Sequence, residues 1–273
     1  MRSSRPAAHT IESAQNPALK HLAKLLRSAR ARRESGQAVL EGAHLLAACL
    51  QAGGQVLQAY VPAHKMQQPE TARLLARLPP ERVVRTAGAA LQKITSLTDA
   101  EEITALVALP PPAPFDGQAD CVVLERIQDP GNIGTILRSA AAAGVGQAVL
   151  AADCADAWSP KVLRAGMGAH FALRLFVEPD LAAWRKQCRV PLLATALHRN
   201  SASLYGCDLR TPAAWLFGNE GAGVSETMLA AADRLVHIPM AGQAESLNVA
   251  MAAAVCLFEQ ARQRLHSGLK PHC

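Results

Sequence analysis

From residue 120 onward, short apolar runs alternate with segments of helical spacing. Cys121–Leu124, Ala148–Leu150, Phe171–Val177, Leu192–Ala196, Ala214–Phe217 and Leu235–Ile238 read as strands. Helical patterns cover about Ile133–Ala143 and Leu181–Gln187, begin again at Ser159-Pro160, and close the chain over about Ser246–His266. Runs that stay apolar at every position, instead of alternating, belong to strands covered on both faces. Strands of that kind separated by helices build a parallel sheet. Ligands in such sheets sit beyond the carboxyl ends of the strands. The loops after Leu124, Phe217 and Ile238 are therefore where chemistry is expected.

The first 110 residues read differently. A helix is predicted over 17–33, then a strand at Ala38–Gly42, a helix from Ala43 and a strand at Val56–Val61. A helix over Thr71–Leu78, a short strand at Val83-Val84, a helix over Ala87–Ile94 and a strand at Thr104–Leu109 complete a small mixed α/β domain. Pro110-Pro111-Pro112-Ala113-Pro114, followed by Asp116-Gly117, reads as a stiff extended linker. The predicted organisation is a domain over 1–110, a linker over 111–118 and a parallel-sheet domain over 119–273.

Composition narrows the class. Half of the 273 residues are hydrophobic and 18% are charged, which excludes intrinsic disorder. No stretch approaches the ~18 uninterrupted apolar residues of a membrane helix. The basic start Met1-Arg2-Ser3-Ser4-Arg5 leads into no apolar segment, so a cytoplasmic protein is expected. The seven cysteines include no Cys-x-x-Cys pair and read as free thiols; with nine histidines they show no ligand spacing, so no metal is expected.

Charge is unevenly placed. Residues 1–33 carry eight basic side chains against one acidic, Glu12, while the remaining 240 carry 20 basic and 21 acidic. Lys20, Lys24 and Arg27 are spaced to share one face of a helix. Such a face attracts phosphates and supplies affinity for nucleic acid. Aromatic residues are only 4% of the chain, which gives no support to recognition by stacked bases.

Three loop-plus-helix motifs stand at the expected positions. The first is Gln128-Asp129-Pro130-Gly131-Asn132-Ile133-Gly134, with Arg138 two turns into the helix. Asn132 reads as a helix cap, whereas Arg138, flanked by small residues, is a candidate for an anion or sugar-phosphate. The second is Phe217-Gly218-Asn219-Glu220-Gly221-Ala222-Gly223, whose spacing matches neither a dinucleotide fingerprint nor a phosphate-binding loop. Glu220 is its chemically capable residue. In the third, Ile238-Pro239-Met240 leads to Ser246-Leu247-Asn248 at the start of an alanine-rich helix. Ser246 reads as the N-cap, which leaves Asn248, a poor helix former, without an obvious structural reason.

Together and in this order, the motifs resemble the SpoU (TrmH-type) branch of the SPOUT methyltransferases, which move a methyl group from S-adenosylmethionine to a ribose 2′-hydroxyl of RNA. The resemblance covers residues 120–260 and includes Ser159-Pro160-Lys161-Val162-Leu163-Arg164. The N-terminal half is similar, less specifically, to the ribosomal-protein-like substrate-binding domain of these enzymes, through Val39-Leu40-Glu41-Gly42 and the segment 94–109. That segment departs from the usual turn at Glu101-Glu102-Ile103.

The resemblance implies a parallel sheet threaded into a deep trefoil knot, an exception to unknotted topology. It implies a homodimer formed through that domain, with each site completed by the other subunit. It places the cofactor against Thr195, Gly218, Ile238, Met240 and Leu247. It matches Arg138 to the arginine held to activate the 2′-hydroxyl, with Asn132, Glu220, Ser246 and Asn248 orienting the reactants. The basic helix face makes Lys20, Lys24 and Arg27 expected RNA contacts, and Arg164 in the matching segment is a fourth. A guanidinium does not ordinarily lose its proton, so an electrostatic role for Arg138 is favoured over a general base.

The implied substrate is structured RNA, with 23S ribosomal RNA favoured over transfer RNA. Three rivals stand beside this reading: a non-catalytic RNA-binding assembly factor on the same fold, a SPOUT enzyme that methylates a base, and an unrelated nucleotide-dependent enzyme. The complete set of motif residues speaks against the first. The Asn132–Arg138 spacing with Ser246-Leu247-Asn248 speaks against the second, and the missing phosphate-loop and dinucleotide fingerprints against the third.

Overall fold

The computed structural model describes residues 10–95, 102–111, 113–178, 180–197 and 200–266. Arg2, Arg5, Glu101 and Pro112, invoked in the sequence reading, lie outside them. In chain order the elements begin with α1 (Pro17–Arg27), α2 (Ala29–Ser35), β1 (Gln37–Glu41), α3 (Ala43–Gln51), β2 (Val56–Pro62) and α4 (Pro69–Leu75). Next come β3 (Val83–Thr86), α5 (Gly88–Gln92), β4 (Thr104–Ala108), β5 (Cys121–Leu124), α6 (Pro130–Ala142) and β6 (Gln147–Ala151). They continue with α7 (Pro160–Gly166), β7 (Arg174–Glu178), α8 (Leu181–Arg185), β8 (Leu192–Thr195) and β9 (Ala202–Ser203). The last four are β10 (Ala214–Phe217), α9 (Glu226–Ala231), β11 (Arg234–His237) and α10 (Val249–His266).

The chain divides into two units, Met1–Pro112 with Trp158–Phe171, and Ala113–Ala157 with Ala172–Cys273. The first holds a four-stranded sheet in the order β1-β4-β2-β3, antiparallel except between β2 and β3. The segment Trp158–Phe171, which the sequence reading assigned to the second domain, groups with the first unit. The reason is apolar: Leu163 is buried in the core that contains Leu40, Leu46 and Ile103, with Trp158 and Phe171 packed against it. At Gly168, a Cβ would lie 2.6 Å from the Ala48 side chain, and φ is +89°, so only glycine serves there.

The predicted single helix over 17–33 is two helices. Ser28 leaves the helical region and accepts a hydrogen bond from the Ala31 N–H at 3.1 Å, starting α2. The Arg32 guanidinium turns back to the carbonyls of Leu25 and Leu26 at the end of α1, which completes the break. The leading helix is no appendage: Leu19, Leu22 and Leu25 are at most 1% exposed, while Lys20, Lys24 and Arg27 point to solvent.

The second unit is a seven-stranded sheet in the order β7-β6-β5-β10-β8-β11-β9, with every neighbouring pair parallel. The all-apolar strands β5 and β10 lie side by side at its centre, each fully buried. The chain runs outward from β5 through β6 to β7, then starts again at β8 on the other side. Strand order thus reverses beside β5, the kind of place where open parallel sheets hold ligands. Among the described residues, no helix is long and apolar enough to cross a membrane.

Candidate active site

The three motifs leave the sheet at the carboxyl ends of β5, β10 and β11. Asp129, not Asn132, caps α6: its carboxylate accepts the Asn132 N–H at 2.9 Å, and Pro130 occupies the first turn, where its missing N–H costs nothing. The Asn132 side chain is thereby released from the capping role predicted for it. Likewise α10 begins at Val249, and its cap is Asn248, whose Oδ1 accepts the N–H groups of Ala250 (2.9 Å) and Met251 (3.3 Å). Ser246, predicted as that cap, is an exposed residue lining the cleft described below.

With Asn248 Oδ1 committed to α10, its Nδ2 donates to Asn132 Oδ1 at 3.0 Å, and Asn132 Nδ2 donates to Glu220 Oε1 at 2.7 Å. One residue from each motif thus joins a hydrogen-bonded chain with a fixed direction that ends on a carboxylate. The capping bonds set the Asn248 amide, and the Glu220 acceptor sets that of Asn132.

Glu220 stands in a loop that closes on itself. Asn219 and Gly223 exchange backbone hydrogen bonds (3.1 and 2.8 Å), and Asn219 Oδ1 accepts from the N–H groups of Gly221 and Ala222, both at 2.9 Å. A Cβ on Gly218 would lie 2.3 Å from the Val224 nitrogen. The bareness of Gly218 therefore serves the return of its own loop.

Beside this loop lies a cleft of about 500 Å³, lined by Thr195, Gly218, Ile238, Met240 and Leu247 together with Glu220 and Ser246. All five residues expected at the cofactor share it. The Thr195 hydroxyl donates to the Leu216 carbonyl at 3.2 Å. The volume is in the range of small-molecule sites. Apolar side chains beside strand-end backbone and the carboxylates of Glu220, Glu226 and Glu245 suit a nucleoside cofactor with a cationic end. The residues present fit S-adenosylmethionine. His237, bonded through Nδ1 to the Ser201 hydroxyl at 3.0 Å, also lines the cleft and was missed in the sequence, where a lone strand histidine carries no signal.

Arg138 stands apart. Six residues along α6 from Asn132 is about 9 Å of rise and a rotation of about 240°, so the two side chains leave the helix on different faces. The Arg138 side chain is exposed, makes no hydrogen bond or ion pair with another described residue, and does not line the cleft. Lys20, Lys24, Arg27 and Arg164 all belong to the first unit; the first three are exposed and Arg164 is half-buried. Among the described residues, no group of three or more His, Cys, Asp or Glu side chains is placed to hold a metal ion.

Comparison with known proteins identifies the family. Residues 120–258 match the model of the SpoU rRNA methylase family. The chain is 38% identical over 266 residues to an uncharacterized tRNA/rRNA methyltransferase of Synechocystis, spanning 93% of this chain and 94% of that one. It is 31% identical over 256 residues to the 23S rRNA (guanosine(2553)-2′-O)-methyltransferase RlmP of Bacillus subtilis, spanning 91% and 97%. The crystal structure of the SpoU methyltransferase AviRb from Streptomyces viridochromogenes, in complex with AdoMet, has a TM-score of 0.82 at 28% identity, spanning 92% of this chain and 99% of that one. Two units, three motifs on one sheet edge and near full-length relatives converge: the chain belongs to the SpoU rRNA methylase family.

Proposed function

We propose that the protein, acting as a cytoplasmic homodimer, methylates the 2′-hydroxyl of a ribose in 23S ribosomal RNA. The observation that carries this reading is the Asn248–Asn132–Glu220 chain, which draws one polar residue from each of three loops to the side of the cleft. S-adenosylmethionine is the cofactor and supplies a methyl group already activated by its positive sulfur. Placement of the ribose oxygen then dominates the barrier. Thr195, Gly218, Ile238, Met240 and Leu247 hold the cofactor, while Asn132, Glu220, Ser246 and Asn248 orient the ribose. Arg138 stabilises charge developing on the ribose oxygen and the neighbouring phosphate.

The exposed position of Arg138 supports a site completed by a second subunit. So does α10, which packs on α6 and presents Met251, Phe258 and Leu265, each at least 50% exposed, at seven-residue spacing along one side. Lys20, Lys24, Arg27 and Arg164 contact RNA phosphates in this reading. Support for ribosomal RNA comes from the family description and from RlmP, which matches along nearly its whole length.

The test is methyl transfer from labelled S-adenosylmethionine to unmodified 23S ribosomal RNA and transfer RNA, followed by nucleoside mapping. The expected product is a 2′-O-methylated nucleoside in 23S ribosomal RNA that is absent with Arg138→Ala. Label confined to transfer RNA would replace the substrate, and label on a base would replace the reaction. Binding of RNA and cofactor without transfer would leave an assembly factor.

A further inference from the structure

We propose that Arg126, together with Glu125, is a positioning device that fixes the loop carrying Glu220 against the loop carrying Asn132. The inference rests on reading the Asn132–Glu220–Asn248 cluster as the reaction site. Residues 221–223 of the loop are Gly-Ala-Gly, with no side chain able to anchor them to the sheet. An anchor has to come from outside, and the two residues that follow β5 provide it on both sides of Glu220.

The Arg126 carbonyl accepts Asn219 Nδ2 at 2.9 Å, and its Nη2 donates to the Gly223 carbonyl at 3.1 Å. The buried Glu125 carboxylate accepts both the N–H and the hydroxyl of Ser225, at 2.8 and 2.6 Å. Three residues beyond Arg126, Asp129 caps the helix that presents Asn132. One short stretch of chain therefore holds both partners of the Asn132–Glu220 bond.

Arg126 occupies this position against local preference. Its φ is +56°, left-handed backbone that non-glycine residues seldom adopt, and its Nε is buried without a hydrogen-bond partner. Glycine would relieve the backbone and remove the orphaned N–H. What glycine lacks is the guanidinium on Gly223, and that contact is the reason for an arginine here. Strained backbone and an unpaired buried donor at one residue mark a position held by its surroundings for what its side chain does.

The test compares wild type with Arg126→Gly by thermal melting, by amide hydrogen exchange of residues 220–225 in protein without ligand, and by kcat and KM for RNA. The expected result is a melting temperature no lower than that of wild type, exchange across the loop faster by about tenfold, and kcat lower by about 10- to 100-fold with KM little changed. Asn219→Asp provides a second variant: it deletes the Nδ2 donor to Arg126 while keeping Oδ1 for loop closure, and the same faster exchange and lower kcat are expected, here with a lower melting temperature because a carboxylate oxygen then faces the Arg126 carbonyl and no backbone strain is relieved. Wild-type exchange in both variants overturns the proposal, and so does faster exchange with wild-type kcat. Faster exchange in variants of a wild-type protein that transfers no methyl upholds the clamp and removes the reaction assigned to the site.

Discussion

Asn132 and Arg138 stand six residues apart on one helix in opposite circumstances. Asn132 has its backbone N–H on Asp129, its amide nitrogen on Glu220 and its amide oxygen on Asn248. Arg138 is exposed and touches no carboxylate among the described residues. A neutral amide that orients a reactant works best when every bond it makes is fixed beforehand. A cation meant for a developing anion works best unneutralised, because a carboxylate partner would cancel the field it is there to provide. Each residue's environment thus suits the role proposed for it, and the contrast can be broken in several ways.

The largest expected effect is at the bare cation. Arg138→Ala should lower kcat by about 10³-fold, the scale of losing a charge-stabilising donor, while circular dichroism and melting stay those of wild type. Asn248→Ala should cost about 100-fold in kcat by freeing the Asn132 amide, and about 1 kcal/mol of stability for the lost cap. Steady-state kinetics and urea unfolding separate the two contributions.

At the other end of α10, Arg264 forms a two-pronged ion pair with Asp120 (2.5 and 2.9 Å) and also donates to the Thr211 carbonyl. Arg264→Met should destabilise the protein by about 2 kcal/mol in urea unfolding and leave kcat unchanged below the transition. A fall in kcat there would show that the cluster at Asn248 depends on how the far end of the helix is anchored.

Smaller effects test the periphery. Replacing Lys20, Lys24 and Arg27 together by alanine should reduce the salt slope of RNA binding by about 2. Substitution is the appropriate test, since deleting the segment would remove Leu19, Leu22 and Leu25 from the core. Burial pushes the thiols of Cys49 and Cys154 up to about 11 and that of Cys256 up to about 12, from an ordinary 9.0. Their protons leave the unfolded chain first, so this contribution to stability is complete below pH 9 and declines as pH rises from 9 toward 11. Unfolding midpoints measured between pH 8 and pH 11 give the slope.

Most of the architecture was legible where burial acts on every position of a segment. The unbroken apolar runs at Cys121–Leu124 and Ala214–Phe217 are the two central strands, and the motif-bearing loops follow the strands expected. What stayed hidden depended on partners distant in sequence. Ser246 and Asn248 are both able caps, and only Asn132, more than a hundred residues away, distinguishes them. The break at Ser28 depends on Arg32 folding back, and the place of Trp158–Phe171 depends on which core receives Leu163. Nothing local marks Arg126 as left-handed, although a charged pair directly after a fully apolar strand was a sign that the strand end had work beyond packing.

In the proposed dimer, an amide–carboxylate cluster built within one chain acts with an arginine supplied by the other. Equimolar Arg138→Ala and Asn132→Ala proteins, each inactive alone, would be unfolded together, refolded and assayed for methyl transfer. The account predicts recovery to about one quarter of wild-type activity, because half of the dimers are mixed and each mixed dimer has one intact site. Mixed dimers confirmed by differential tags but no more active than either parent would contradict it, and would place both residues in the same subunit's site.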